Sequence, residues 1–236
     1  LVLATHGRGI WIYDQINAFQ ELTPEVRGSD AWLFTVEPAE QIRYRSDRAH
    51  TGNMIFEGEN PPAGAIVDYW LGDEGMDISL TVHDERGNRV AALQPSDRAG
   101  LNRVIWDLRH DVPGAEDVEM GFGGNGLRGP WVVPGLYTVR MEAGGGVTER
   151  VVRVKEDPRI EVDPKARAEW TGTLMEITEL LGASQTLAAQ AEDAVERLDE
   201  GEVEVTEEVE AEVRDLSQEL DELASRTGRL LRNVEG

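Results

Sequence analysis

The chain has 236 residues and carries 46 Asp and Glu against 23 Lys and Arg, a formal net charge of −23. So acidic a surface repels phosphate backbones and argues against nucleic-acid binding. No apolar run approaches the ~18 residues of a membrane span. The absence of cysteine excludes disulfides, Cys-ligated zinc, iron–sulfur clusters and thiol nucleophiles. Only Lys155 and Lys165 are lysines; every other cation is arginine. Two readings fit this composition: a halophilic surface whose carboxylates hold hydration in high salt, or a GC-rich genome that favours Arg over Lys.

Residues 1–14, LVLATHGRGIWIYD, alternate an apolar run, a turn and an aromatic, β-branched run. This pattern predicts two short strands. A lone hairpin is marginal, so its sheet partners are expected upstream and the sequence reads as a fragment of a longer chain. Ile16, Phe19 and Leu22 predict a short helix with one apolar face, stopped near Pro24. Residues 30–50 read as an extended crossing segment, so that 1–50 forms a first region.

From 51 to 156 the pattern is all-β. Strands are predicted at 64–71, 77–84, 89–93, 101–109, 136–143 and 147–155, with turns at Arg86-Gly87-Asn88 and Gly144-Gly145-Gly146. Along 101–109, Asn102, Val104, Trp106 and Leu108 share one face, which places Trp106 in the core. Six short strands with turn signals suggest an immunoglobulin-like β-sandwich.

After Asp163, an N-cap residue, and Pro164, a first-turn residue, the period changes. Trp170, Leu174, Ile177, Leu181, Ser184, Ala188, Ala191, Val195 and Leu198 are spaced alternately by four and three, a heptad seam. Thr206 caps a second helix with the same spacing at Val209, Val213, Leu216, Leu220, Leu223, Thr227, Leu230 and Val234. The short connection predicts an antiparallel helical hairpin over 157–236. The fold class is therefore α+β, mainly β.

The motifs that carry chemistry elsewhere are weak here. GFGGNG, Gly121 to Gly126, matches a dinucleotide-binding pattern, but no helix follows it, so it reads as a loop. Asp73, Glu74 and Asp77 fit no calcium-loop spacing, and the carboxylates from Glu200 to Glu212 read as a solvated face. His6, His50, His83 and His110 lack the spacing of a zinc site, and no nucleophile elbow marks a catalytic serine. No catalytic, cofactor-binding or metal-binding residue is assigned and no cofactor is expected. Trp11, Trp70, Trp106 and Trp131 lie in or beside predicted strands. An exposed Trp could stack on the apolar face of a sugar. Trp70, Trp131, His6 and Arg8 are the candidate contacts for carbohydrate or a protein partner.

Taken together, several segments resemble one family in order along the chain. LVLATHGRGIWIYD is similar to the closing blade of sortilin-like, BNR-repeat β-propeller proteins, often labelled glycosyl hydrolase or sialidase-like. Asn60-Pro61-Pro62 with Gly64-Ala65-Ile66 and Asp68-Tyr69, Gly100-Leu101-Asn102-Arg103 with Trp106-Asp107-Leu108-Arg109, Gly129-Pro130, Pro134 to Val139, and Asp157-Pro158-Arg159 resemble its later motifs. The resemblance implies propeller-closing strands, a module like the immunoglobulin-type domain of hook-capping proteins, and export to the cell surface or medium. It implies a non-catalytic structural or interaction region whose partners are the upstream propeller and another protein or polysaccharide. The alternative is an accessory part of a glycoside hydrolase, lending loops such as 111–130 to a catalytic propeller upstream. The chain lacks the family's Asp-box, and no sialidase arginine, tyrosine or acid can be carried over.

Overall fold

A computed structural model describes residues 1–7, 9–13, 15–42, 60–112, 129–199 and 206–235, Glu207 and the last six without side-chain detail. The chain divides into two compact units, residues 1–109 with 133–162, and residues 110–132 with 163–236.

The first unit opens with β1 (Val2–Ala4) and β2 (Ile10–Ile12), an antiparallel pair. The expected short helix is α1 (Asn17–Glu21), which ends before Pro24, and a second one, α2 (Pro24–Arg27), follows it. Pro24 opens α2, because Thr23 caps it by accepting a hydrogen bond from the Val26 amide. Ala18 and Val26 are buried with Phe34, while Phe19 lies half in solvent.

The stretch expected to cross between regions contributes strands of its own. β3 (Ala31–Leu33) joins a three-stranded antiparallel sheet in the order β3-β5-β8, with β5 (Ala65–Leu71) central and β8 (Gly100–Trp106) at its edge. β4 (Ala39–Glu40) pairs parallel with the end of β10 in a five-stranded sheet ordered β4-β10-β9-β6-β7. Its other members are β6 (Ile78–His83), β7 (Arg89–Leu93), β9 (Gly135–Ala143) and β10 (Gly146–Lys155). Gly144 and Gly145 join β9 to β10 with φ of 58° and 76°, the left-handed pair that a two-residue hairpin needs.

β5 is apolar almost throughout because both of its faces are covered. Val67, Tyr69 and Leu71 point one way, into the core; Ile66 and Trp70 point the other, and Trp70 packs against the Ala18–Val26–Phe34 cluster. Leu80, Val82, Val139, Met141, Val152 and Val154 are the buried face of the five-stranded sheet. The two sheets meet where Trp106 packs edge-on to Tyr137, ring centroids 5.3 Å apart. Trp106 is buried, as its place on the strand predicts, and its Nε1–H donates to the Arg109 carbonyl at 3.0 Å. Tyr137 donates its hydroxyl to the Val133 carbonyl at 2.7 Å. Beyond β8 the backbone turns sharply, with Leu108 at φ 63° and Gly64 so close that a Cβ there would sit 2.1 Å from the Trp106 carbonyl oxygen.

The second unit holds α3 (Pro164–Asp199) and α4 (Glu207–Glu235). Asp163 caps α3, its Oδ1 accepting from the Lys165 amide at 2.7 Å. Asp199, the last residue of α3, is bonded by Arg214 in the second turn of α4, so the chain reverses and the helices run antiparallel. The buried line of α3 is narrow and mostly small: Leu174, Thr178, Leu181, Ser184 and Ala188. Thr178 satisfies its hydroxyl on the Leu174 carbonyl and Ser184 on that of Leu181, both at 2.8 Å. Val112 packs on Leu174 and Leu181.

The expected seam of α3 lies inside apart from its first residue, but that of α4 is only half inside. On α4, Val213, Leu220 and Thr227 turn inward, but Val209, Leu216 and Leu223 are exposed, as is Trp170 on α3. On α3 the rest of the seam is covered, with Leu174, Leu181, Ser184 and Ala188 buried, so the alternate positions left in solvent are those of α4.

Candidate functional site

The β1–β2 hairpin has an unusual surface. Val2 faces Ile12 and Ala4 faces Ile10 on one side, and Leu3 faces Trp11 on the other. An antiparallel pair with one wet face should alternate apolar with polar residues; this one is apolar on both. Val2, Leu3, Ile10, Trp11 and Ile12 are 53–71% exposed. Among the described residues its ladder bonds run along its own seam. Leu1 N donates to the Tyr13 carbonyl at 2.9 Å, Tyr13 N donates to the Leu1 carbonyl at 2.8 Å, and the turn is pinned by Thr5 and Gly9.

What ties this hairpin to the rest of its unit is a polar clamp. Asp68 and Arg103 are cross-strand partners on β5 and β8, on the face that also carries Trp70. The carboxylate is 3% exposed, and Arg103 grips both its oxygens, Nε at 2.6 Å and Nη2 at 2.9 Å. The same guanidinium reaches the Gln15 carbonyl at 3.4 Å and lies 5.3 Å from the Tyr13 ring centroid. Tyr13 in turn packs edge-on against Phe19. Gln15 accepts a left-handed backbone, φ 51°, to bring its carbonyl there. Fork-to-fork pairing, a stacked ring and a carbonyl cap form a set that arginine satisfies and lysine cannot.

Sequence reasoning passed over this clamp. Its signal was present in GAIVDYWL, where one acid interrupts an apolar strand, and in Arg103, in an alternating strand of the same sheet. The residues named from the sequence fall elsewhere. His6 sits exposed in the hairpin turn and Trp70 is partly buried in the first unit, whereas Trp131 is half-buried in the second. Arg8, His50, GFGGNG and most of 111–130 lie outside the described residues. Buried side-chain atoms of Gln15 (Oε1), Asn17 (Oδ1) and Trp70 (Nε1) have no hydrogen-bond partner among the described residues.

His83 contacts the Gly87 carbonyl through Nδ1 at 3.2 Å and the Thr81 hydroxyl through Nε2 at 2.9 Å, on the open face of the five-stranded sheet. Burial pushes the Tyr69 phenol above its ordinary range, and its hydroxyl donates to the Ser96 carbonyl at 2.7 Å. Hydrogen bonds from the Arg159 side chain and backbone pull the Asp157 carboxyl down to about 2. Among the described residues no three His, Asp or Glu side chains converge as metal ligands would, and no helix is long and apolar enough to cross a membrane. Comparison with protein-family models, curated proteins and solved structures returns no match.

Proposed function

We propose that this chain is the non-catalytic C-terminal structural and interaction region of a secreted, BNR-repeat β-propeller protein. In this reading β1 and β2 close a propeller blade supplied by preceding sequence. The two sheets behind them form an immunoglobulin-like sandwich, and the helical hairpin ends the chain. The observation that carries it is the hairpin itself: two apolar faces and, among the described residues, two open edges, with Arg103 reaching the Tyr13 ring and the Gln15 carbonyl at its base. Strands of this kind gain stability by joining a sheet covered on both sides. The clamp passes that position to the sandwich by a charge-assisted contact.

Hydrogen exchange tests the reading. In the chain of residues 1–236, the amides of Val2, Leu3, Ile10 and Ile12 should exchange far faster than those of β9 and β10. In the full-length gene product the same amides should gain protection of about a hundredfold or more. Protection already complete in the shorter chain, or absent in the longer one, would reject a propeller-closing role.

A further inference from the structure

The α3–α4 pair carries a second exposed apolar surface, in a different unit from the hairpin. Leu180 and Leu187 on α3, and Val209, Leu216 and Leu223 on α4, are 43–67% exposed. Each set recurs every seven residues. At about 100° per residue, Leu180 and Leu187 lie roughly a quarter turn from the buried line through Leu181 and Ala188. Leu216 and Leu223 are displaced in the same rotational sense from the line through Val213, Leu220 and Ala224. In antiparallel helices equal rotations bring the two stripes to the same side of the pair. Ser217 lies beside Val195 and Glu196, which sets the axial alignment. The stripes then join end to end, Leu180, Leu187, Leu223, Leu216, Val209, over about 35 Å.

The rim of this file is acidic. Glu176 on α3 and Glu212, Asp215 and Glu219 on α4 are exposed on the same side, with Arg226 as the cation near them. Two copies of such a face would bring carboxylates against carboxylates, in a chain already at −23. A helix with apolar residues at heptad spacing and Lys or Arg beside them meets both the leucines and the rim. We infer that this face of the α3–α4 pair docks a basic amphipathic helix of a partner protein. About 23 residues of helix would run the length of the file.

The probe is a synthetic four-heptad helix with Leu at the core positions and Lys at the flanks, labelled for fluorescence anisotropy against the full chain. A peptide of the same composition with the heptads scrambled is its control. The heptad peptide should bind at least tenfold tighter than the scrambled one. Leu187→Asp and Leu216→Asp should each weaken it by tenfold or more, although both add negative charge that would strengthen a purely electrostatic attachment. Both residues are already exposed, and circular dichroism checks that the helices persist; Leu187→Gln and Leu216→Gln serve if they do not. Equal binding of the scrambled peptide, or undiminished binding to the variants, would overturn the assignment. So would sedimentation of the chain alone as a dimer that Leu216→Gln abolishes, because a second copy would then own the face.

Discussion

Arg103 stands directly opposite Asp68 across β8 and β5, and its guanidinium closes on both carboxylate oxygens while resting near the ring of Tyr13. Arg103→Met leaves a carboxylate that is 3% exposed without its cation. The expected loss is about 2–4 kcal/mol, the lower half favoured because Arg103 itself is partly solvated. Asp68→Asn should cost less, and the Asp68→Leu/Arg103→Met double variant should recover much of the single loss. A urea-denaturation cycle on the four proteins measures the coupling. Additive losses would show that the pair does not act as a unit.

Gly64 and Gly75 make a matched comparison. Both have positive φ, 142° and 77°, but a Cβ on Gly75 meets nothing within 4 Å, whereas one on Gly64 strikes the Trp106 carbonyl oxygen at 2.1 Å. Gly75→Ala should cost about 1–2 kcal/mol of backbone strain. Gly64→Ala must also push β8 away and should cost more than about 3 kcal/mol. Similar midpoints for the two variants would mean that the end of β8 yields easily.

Trp106 and Tyr137 join the two sheets. Trp106→Ala removes the largest fully buried side chain and should cost about 3–5 kcal/mol. Tyr137→Phe keeps the ring contact and deletes only the bond to the Val133 carbonyl, so about 1 kcal/mol is expected. A loss under ~1 kcal/mol for Trp106→Ala would contradict its place in the core.

Asp157 predicts an acid limb. Its carboxyl is held down to about 2 by the Arg159 side chain and amide, against about 3.9 in an unfolded chain. A depressed pKa means that this contribution is whole above the unfolded value and disappears as pH falls through the folded one. The window therefore lies between about pH 4 and pH 2. An NMR titration of the Asp157 side chain should give a midpoint near 2 in the native protein, returning toward the ordinary range in Arg159→Gln. An unchanged midpoint in that variant would remove Arg159 as the cause.

Net charge predicts a salt response. The Debye length falls from about 10 Å at 0.1 M to about 3 Å at 1 M, so self-repulsion at −23 fades over that interval. The thermal midpoint should rise across it. Further gain in molar KCl marks a surface suited to high salt, a plateau marks plain screening, and no rise at all would show that repulsion is not limiting.

The legible parts of this sequence were those fixed by local chemistry. Gly144-Gly145 could only be a tight reversal, and Asp163-Pro164 could only begin a helix; both do. Alternation along 101–109 put Trp106 inside for the same reason. Helix faces were less legible, because spacing does not say how many neighbours a helix will have. Val209, Leu216 and Leu223 have the period of a core and lie outside it. In α1 the apolar spacing pointed to Phe19, while the smaller Ala18 took the buried place, since a short helix over a sheet can bring its backbone close only through a small side chain. The Arg103–Asp68 clamp depends on register between strands separated by a long stretch of chain, and no local pattern carries register.

The narrow line of Thr178, Ser184 and Ala188 between the helices bears on how the chain melts. Heat-capacity change and denaturant sensitivity both scale with apolar surface newly wetted, and hydroxyl and methyl side chains hide little of it. The helical unit should therefore have a flat stability curve and a shallow, broad transition, beside a steep one from the aromatic-rich sheets. A single-transition fit to the whole chain would average two unlike processes. Calorimetry would resolve a low shoulder that belongs to the helices alone.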